Sequence, residues 1–294
     1  LTSNNMKITY INEKFVNHEN AFVHIEDRGY QFADGVYEVI LAKNNILIDW
    51  KQHCTRLRRS LSEMKIGYSF GNESLLRLIH ELMDRNSLED AIIYMQVSRG
   101  VARREHGFPK GNITPSVIIT ASPAVFPSDE EYKNGVAVIT MPDIRWKRRD
   151  IKTISLLPNI LAKQAASEQN ATEAILIEDD GSITEGSSSN FFIFDKYGTL
   201  RTHPANNLIL GGITRDGIIK VAKQFGIRVE ERAFSISDVM ECKGAFVSST
   251  TKHILPVTKI NGTKIANGVV CIEIKELMNL YKKYIDKQIE GTNH

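Results

Sequence analysis

One lysine closes a dense basic stretch, Arg145-Trp-Lys-Arg-Arg-Asp-Ile-Lys152-Thr153. An amine crowded by cations and drawn partly out of water sheds its proton more readily, which frees a lone pair to attack a carbonyl. Lys152 is therefore a candidate catalytic amine. The neighbouring Lys147-Arg148-Arg149 reads either as part of that corner or as a solvated surface run. The stretch follows the apolar run 136–141 and is expected to leave it as a strand that delivers the lysine.

Other residues could serve the same chemistry. Glu185 lies in Thr184-Glu-Gly-Ser-Ser-Ser-Asn190, a hydroxyl-rich turn bracketed by apolar strands. Gly211-Gly-Ile-Thr-Arg-Asp216 opens a helix expected from Asp216 to Phe225, with Thr214 as its cap. Free N–H groups and the positive dipole end at such a start suit a phosphate, although an ordinary glycine turn reads equally well. The spacing matches neither the ATP loop nor the dinucleotide loop. Phe246-Val-Ser-Ser-Thr-Thr251 ends a strand in four hydroxyls, a second place for phosphate oxygens. Arg56 sits beside the apolar stripe Cys54, Leu57, Leu61, Met64 of a helix over 50–65, aimed inward. Arg99, Arg103, Arg104 and His106 share one loop, which is either solvated or a trap for a carboxylate. A candidate amine, a glutamate and two phosphate-shaped turns together fit pyridoxal 5′-phosphate. In that reading a lysine forms the Schiff base and a carboxylate keeps the ring nitrogen protonated.

These groups need a scaffold. Strands are expected over 7–16, 36–42 and 46–48, the last two joined by Lys43-Asn44-Asn45, because asparagines tolerate left-handed turn conformations. Residues 26–35 read as a glycine-marked loop. Asp49 is expected to cap the first helix, and Asn72 a second. Strands follow at 91–97 and 116–120. The proline-bearing segment 122–130 reads as a linker between a small N-terminal domain (1–121) and a larger C-terminal, cofactor-binding domain (131–294). In the larger part, strands at 174–178 and 191–194, a hairpin at 260–263 and a final amphipathic helix over 270–289 complete the reading.

Bulk properties exclude several classes. With 37 Lys+Arg against 35 Asp+Glu, net charge +2, nothing predicts bulk attraction to nucleic acid or an anionic membrane. No apolar run reaches the length of a membrane span. The three cysteines, Cys54, Cys242 and Cys271, are scattered, which predicts reduced thiols in a cytoplasmic compartment. No paired Cys/His spacing predicts a metal site. Met6 reads as a start residue with a short remnant before it.

Several stretches, in order along nearly the whole chain, resemble the fold-type IV pyridoxal-phosphate aminotransferases, and among them the D-amino-acid aminotransferases. They are Glu26-Asp-Arg-Gly-Tyr-Gln-Phe-Ala-Asp-Gly-Val-Tyr-Glu-Val39, Asp143-Ile-Arg-Trp146, Asp150-Ile-Lys152, Leu161-Ala-Lys-Gln164, Glu173-Ala-Ile-Leu176, Thr184-Glu-Gly-Ser-Ser-Ser-Asn190, Thr202-His-Pro-Ala-Asn-Asn207, Gly212-Ile-Thr-Arg-Asp216 and Ser249-Thr-Thr251. The resemblance implies a mixed α+β fold with a small α/β domain and a larger β-barrel-like domain flanked by helices. It implies that Lys152 is the Schiff-base lysine and proton shuttle, and that Glu185 faces the pyridine nitrogen. Arg56, Ile213, Thr214, Ser249 and Thr250 would hold the phosphate, Leu210 would pack on the ring, and Ser188 would place a hydroxyl near the cofactor.

On the substrate side, the resemblance points to Tyr37, to Arg145 near the active lysine, and to Arg104 and His106. Those two match an Arg-x-His carboxylate trap that reaches the site from the partner subunit of a homodimer. Glu105 and Arg103 depart from the small residue and the proline expected there. The implied reaction is ping-pong transamination between a D-amino acid, such as D-alanine or D-glutamate, and a 2-oxo acid. The alternatives within the same fold are a branched-chain L-amino-acid aminotransferase and a pyridoxal-phosphate lyase.

Overall fold

The computed structural model describes residues 7–291, so Met6 and the residues before it lie outside the described region. The chain divides into two compact units. The first holds residues up to Ala124 together with Ile151–Ser155; the second holds Val125–Asp150 and Leu156–Gly291.

The first unit contains β1 (Ile8–Ile11), β2 (Lys14–Asn17), α1 (Arg28–Phe32), β3 (Gly35–Lys43), β4 (Ile46–Leu47), α2 (Trp50–Glu63), α3 (Asn72–Arg85), β5 (Ala91–Ser98) and β6 (Ser116–Pro123). Its six strands form one antiparallel sheet in the order β2-β1-β6-β5-β3-β4. Asn44 and Asn45 both take positive φ between β3 and β4, as the turn chemistry predicts. Along β3, Val36, Glu38 and Ile40 are buried while Tyr37 and Val39 are half-buried, the alternation a pleated strand imposes. The buried side meets Leu57 and Leu61 of α2 and Leu75, Ile79, Leu82 and Met83 of α3 in one core. Glu38 thus projects a carboxylate among apolar residues.

Three expectations change in this unit. Residues 28–32 form a short helix instead of open loop, because Asp27 accepts from the Gly29 N–H and Ala33 closes the turn in the left-handed region. Asp49 is itself left-handed and makes no side-chain cap on α2. Gly71, not Asn72, is the N-cap of α3; Asn72 instead accepts from Arg58.

The second unit contains α4 (Asp129–Asn134), β7 (Val136–Pro142), α5 (Leu157–Glu168), β8 (Glu173–Ile177), β9 (Ile183–Gly186), β10 (Asn190–Phe194), β11 (Leu200–Thr202), α6 (Ile213–Gln224), β12 (Val229–Glu231), α7 (Ile236–Met240), β13 (Gly244–Ser249), β14 (His253–Ile260), β15 (Thr263–Lys264) and α8 (Ile272–Glu290). Eight strands run in the order β12-β11-β10-β13-β14-β7-β8-β9, with β15 on β14. β9 and β10 are joined only by Ser187–Ser189, yet they stand far apart in that order. The sheet must therefore curl until its β9 edge comes back to β10, and Asn190 Nδ2 donates to Glu185 Oε2 (2.9 Å) across that closure. This is the mixed α+β fold with a barrel-like larger part that the family resemblance implied.

The strand expected to deliver Lys152 ends at Pro142, and the following segment is largely irregular. Thr214 lies inside α6, whose N-cap is Gly212. Gly212 is required there: a Cβ would fall 2.0 Å from Asn190 Oδ1. Among the described residues no helix is long and apolar enough to cross a membrane, and no cluster of metal-ligating side chains occurs.

Candidate active site

In the first unit, Lys152 is fixed by its backbone. Its carbonyl accepts from the Tyr37 N–H (3.0 Å), its N–H donates to Ser60 Oγ (3.3 Å), and the next residue, Thr153, bridges to Val36. Segment 152–154 thus lies along the start of β3 like a short extra strand, anchored below by Ile151 in the core. The side chain is left for chemistry: its Nζ stands 4.1 Å from the centre of the Tyr37 ring and forms no ion pair among the described residues. Tyr37 in turn packs beside Tyr94 at 5.7 Å.

Arg56 lies one helical turn before Ser60, on the same side of α2. Its Nε and Nη2 donate side-on to the two oxygens of Glu38, each at 2.8 Å. His53 Nδ1 is 2.8 Å from Glu38 Oε2. Burial pushes the Glu38 carboxyl up, but Arg56 and His53 override it and hold it at about 2. Burial lowers the His53 pKa below its ordinary value against the pull of Glu38, so the ring is neutral at neutral pH. Glu38 can then only accept, so Nδ1 carries the proton.

Arg104 and His106 come together on one ring. The Arg104 guanidinium is 5.1 Å from the Phe32 centroid, and the His106 ring is 5.6 Å away. Both are exposed. The base of their loop is anchored. Arg28 donates to the Glu105 carbonyl (2.7 Å), and both Arg28 and Arg99 hold the buried Asp34 carboxylate. Burial alone would raise Asp34, but the two guanidiniums bring it below the ordinary range. Glu105 is exposed, and so is Arg103.

In the second unit, Arg145 and Glu185 form a buried pair, Nη1 to Oε1 at 2.6 Å. Arg145 also forks onto Asp143 through Nε (2.9 Å) and Nη2 (2.7 Å). Expected among the substrate-binding groups, its guanidinium is thus engaged by two carboxylates of its own chain. Glu185 further accepts from the Leu210 N–H (3.1 and 3.2 Å) and from Asn190. Burial pushes the Glu185 carboxyl above its usual value despite Arg145 and Leu210. A buried carboxylate of raised proton affinity is a strong acceptor for an N–H cation.

Ser188 Oγ donates to Glu173 (2.9 Å), a buried carboxylate that also gathers Ser187, Ser189 and the Lys252 ammonium (3.0 Å). Burial would raise Glu173, and Lys252 and Lys163 pull it down to about 2. Ser249 Oγ, at the end of β13, accepts the Lys252 N–H (3.2 Å), and Thr250 follows it in the same turn. Ile213 and Thr214 begin α6, whose start has no side-chain cap.

Glu38, His53, Asp143, Asn190 and Glu173 have no role in the reading of the sequence. Glu38 was open to notice, because it is a charge on the apolar side of an otherwise alternating strand.

These residues fit pyridoxal phosphate. Lys152 presents an amine held by no acceptor among the described residues, Glu185 presents a buried carboxylate, and the first turn of α6, with no side-chain cap, offers N–H groups and a positive dipole end. The family profile for "Amino-transferase class IV" matches residues 35–260. A D-alanine aminotransferase of Bacillus licheniformis is 42% identical over 263 residues, covering 90% of this chain and 91% of the relative. One from Listeria monocytogenes is 43% identical, covering 88% and 89%. The fold matches that of the branched-chain amino acid aminotransferase of Escherichia coli with a TM-score of 0.87 at 24% identity, covering 95% of both chains. The chain belongs to the class IV aminotransferases, a family of pyridoxal-phosphate enzymes.

Proposed function

We propose that this aminotransferase moves amino groups between D-amino acids and 2-oxo acids in two successive half-reactions. The D-alanine aminotransferases at 42–43% identity support this reading. The observation that carries it is the gathering of Arg104 and His106 on Phe32. A planar guanidinium beside an imidazole N–H makes a two-donor receptor for an α-carboxylate.

Pyridoxal phosphate, when bound, supplies an aldehyde that condenses with amines and a protonated ring that draws electron density from Cα. Lys152 would hold the cofactor through its amine, and the same Nζ would move a proton between the substrate Cα and the cofactor C4′. Glu185 would face the ring nitrogen, with Arg145 steadying its Oε1. Leu210 would cover the ring, and Ser188 would lie near it. Arg56, the first-turn N–H groups of Ile213 and Thr214, and the hydroxyls of Ser249 and Thr250 would hold the phosphate. Tyr37 lines the donor side. Arg104 and His106 act from a partner copy in a homodimer. Exposed Phe22, Ile25 and Tyr30 in the first unit, and Leu157, Ile160 and Leu161 in the second, are apolar surface that a second copy would cover. Three free cysteines support a cytoplasmic setting.

The test is a donor panel with 2-oxoglutarate as acceptor. D-alanine is turned over and L-leucine is not. The Arg104→Ala variant loses roughly 10- to 100-fold in kcat/KM for D-alanine, mostly through KM, as expected for one lost charge-assisted bond. Turnover of L-leucine without D-alanine would overturn the reading in favour of the branched-chain alternative.

A further inference from the structure

We propose that Glu38 is a positioning residue for the phosphate-binding edge of Arg56, itself locked by His53. The inference rests on the reading of Arg56 as a phosphate ligand.

An arginine side chain has several rotatable bonds and a flat head with five donors. Glu38 restrains it by the side-on route: Nε to Oε1 and Nη2 to Oε2, both 2.8 Å. Two parallel bonds fix the plane as well as the position of the guanidinium. They take Nε and one Nη2 proton, so the edge directed to any further acceptor is the one shared by Nη1 and Nη2. Glu38 cannot swing away from this task. It is 1% exposed on β3, among the apolar residues of the core, and its second oxygen is held by His53 Nδ1 at 2.8 Å. His53 and Arg56 stand on adjacent turns of α2, so one carboxylate on the sheet clasps one side of the helix.

The same helix contributes Ser60, one turn further on, whose hydroxyl fixes the Lys152 backbone. The α2 side that aims Arg56 is therefore the side that places the amine. A carboxylate behind a phosphate ligand is otherwise counterproductive, since its charge opposes the phosphate. Its placement makes sense if the gain lies in holding the fork in one orientation before the ligand arrives.

Affinity of the apo-protein for pyridoxal phosphate and for unphosphorylated pyridoxal, measured by equilibrium titration, isolates this. The wild type prefers the phosphorylated form. Arg56→Ala lowers that preference by roughly 100-fold, the loss of a charge-assisted phosphate contact. Glu38→Gln and Glu38→Asp each lower it by about tenfold, the usual loss when a supporting partner is removed, with little change in pyridoxal affinity. Because Asp keeps the charge and shortens the reach, its loss marks geometry. In the Arg56→Ala background, Glu38→Gln causes no further loss of preference, since Glu38 acts through Arg56.

A general folding defect would weaken both ligands alike and leave the preference unmoved, which would overturn the proposal. A preference unchanged in both Glu38 variants, while Arg56→Ala still loses it, would also overturn the proposal and leave the phosphate role of Arg56 intact. If Arg56→Ala itself keeps the preference, the underlying reading of Arg56 fails first.

Discussion

In the Lys152→Ala variant, transamination of D-alanine falls by roughly four orders of magnitude or more. The loss is this large because one group does two jobs: it links to the cofactor and it moves the Cα proton. The fold should survive the change. What fixes segment 152–154 is backbone: Tyr37 N–H to the Lys152 carbonyl, the Lys152 N–H to Ser60, and the Val36–Thr153 bridge. The Lys152 ammonium rests on the Tyr37 ring and makes no ion pair among the described residues. Steady-state rates with 2-oxoglutarate, alongside a thermal melt close to that of the wild type, check this. Residual turnover within tenfold of wild type would contradict the assignment.

Glu185→Gln comes second, with a loss of about 10²- to 10³-fold in the rate of the first half-reaction. Gln keeps the shape and can still accept from the Leu210 N–H, but it brings no charge. Arg145 remains paired with Asp143 through two bonds, so the buried cation is not stranded and stability changes less than activity. Single-turnover measurements with D-alanine separate the half-reaction from product release. A rate within threefold of wild type would show that the carboxylate has no part in the chemistry. A larger loss with a collapsed melting temperature would point to the buried pair as structural.

Much of this arrangement was legible in the sequence because it is built from local signals. The asparagine turn at 44–45, the apolar stripe of α2 and the glycine-led start of α6 each depend on a few adjacent residues. Caps were less legible. Asp49, Asn72 and Thr214 all have capping chemistry, yet the backbone placed a left-handed Asp49, Gly71 and Gly212 at those boundaries. A cap depends on where the chain enters the helix, and that is set by tertiary packing.

The stretch around Lys152 misled in another way. Arg149 is buried, not surface, and pairs with both Glu178 and Asp143; Arg145 shares Asp143 and reaches Glu185, Lys147 shares Glu178 from the surface, and Arg148 pairs with Asp150. Each partner except Asp143 and Asp150 is distant in sequence, so the pairing could not be read from spacing. The same holds for Glu38 with His53 and Arg56, and for Glu173 with three serines and Lys252. Buried charges announce that partners exist, while only the fold names them.

Lys152 is the central claim, and the chain holds other lysines near candidate groups. Lys252 reaches the buried Glu173, and Lys163 lies close enough to influence the same carboxylate. Borohydride reduction of the purified holoenzyme, followed by digestion and peptide mapping, records which lysine bears the cofactor. The expected result is a pyridoxyl label on Lys152 alone. A label on Lys252 or Lys163, with Lys152 unmodified, would contradict it.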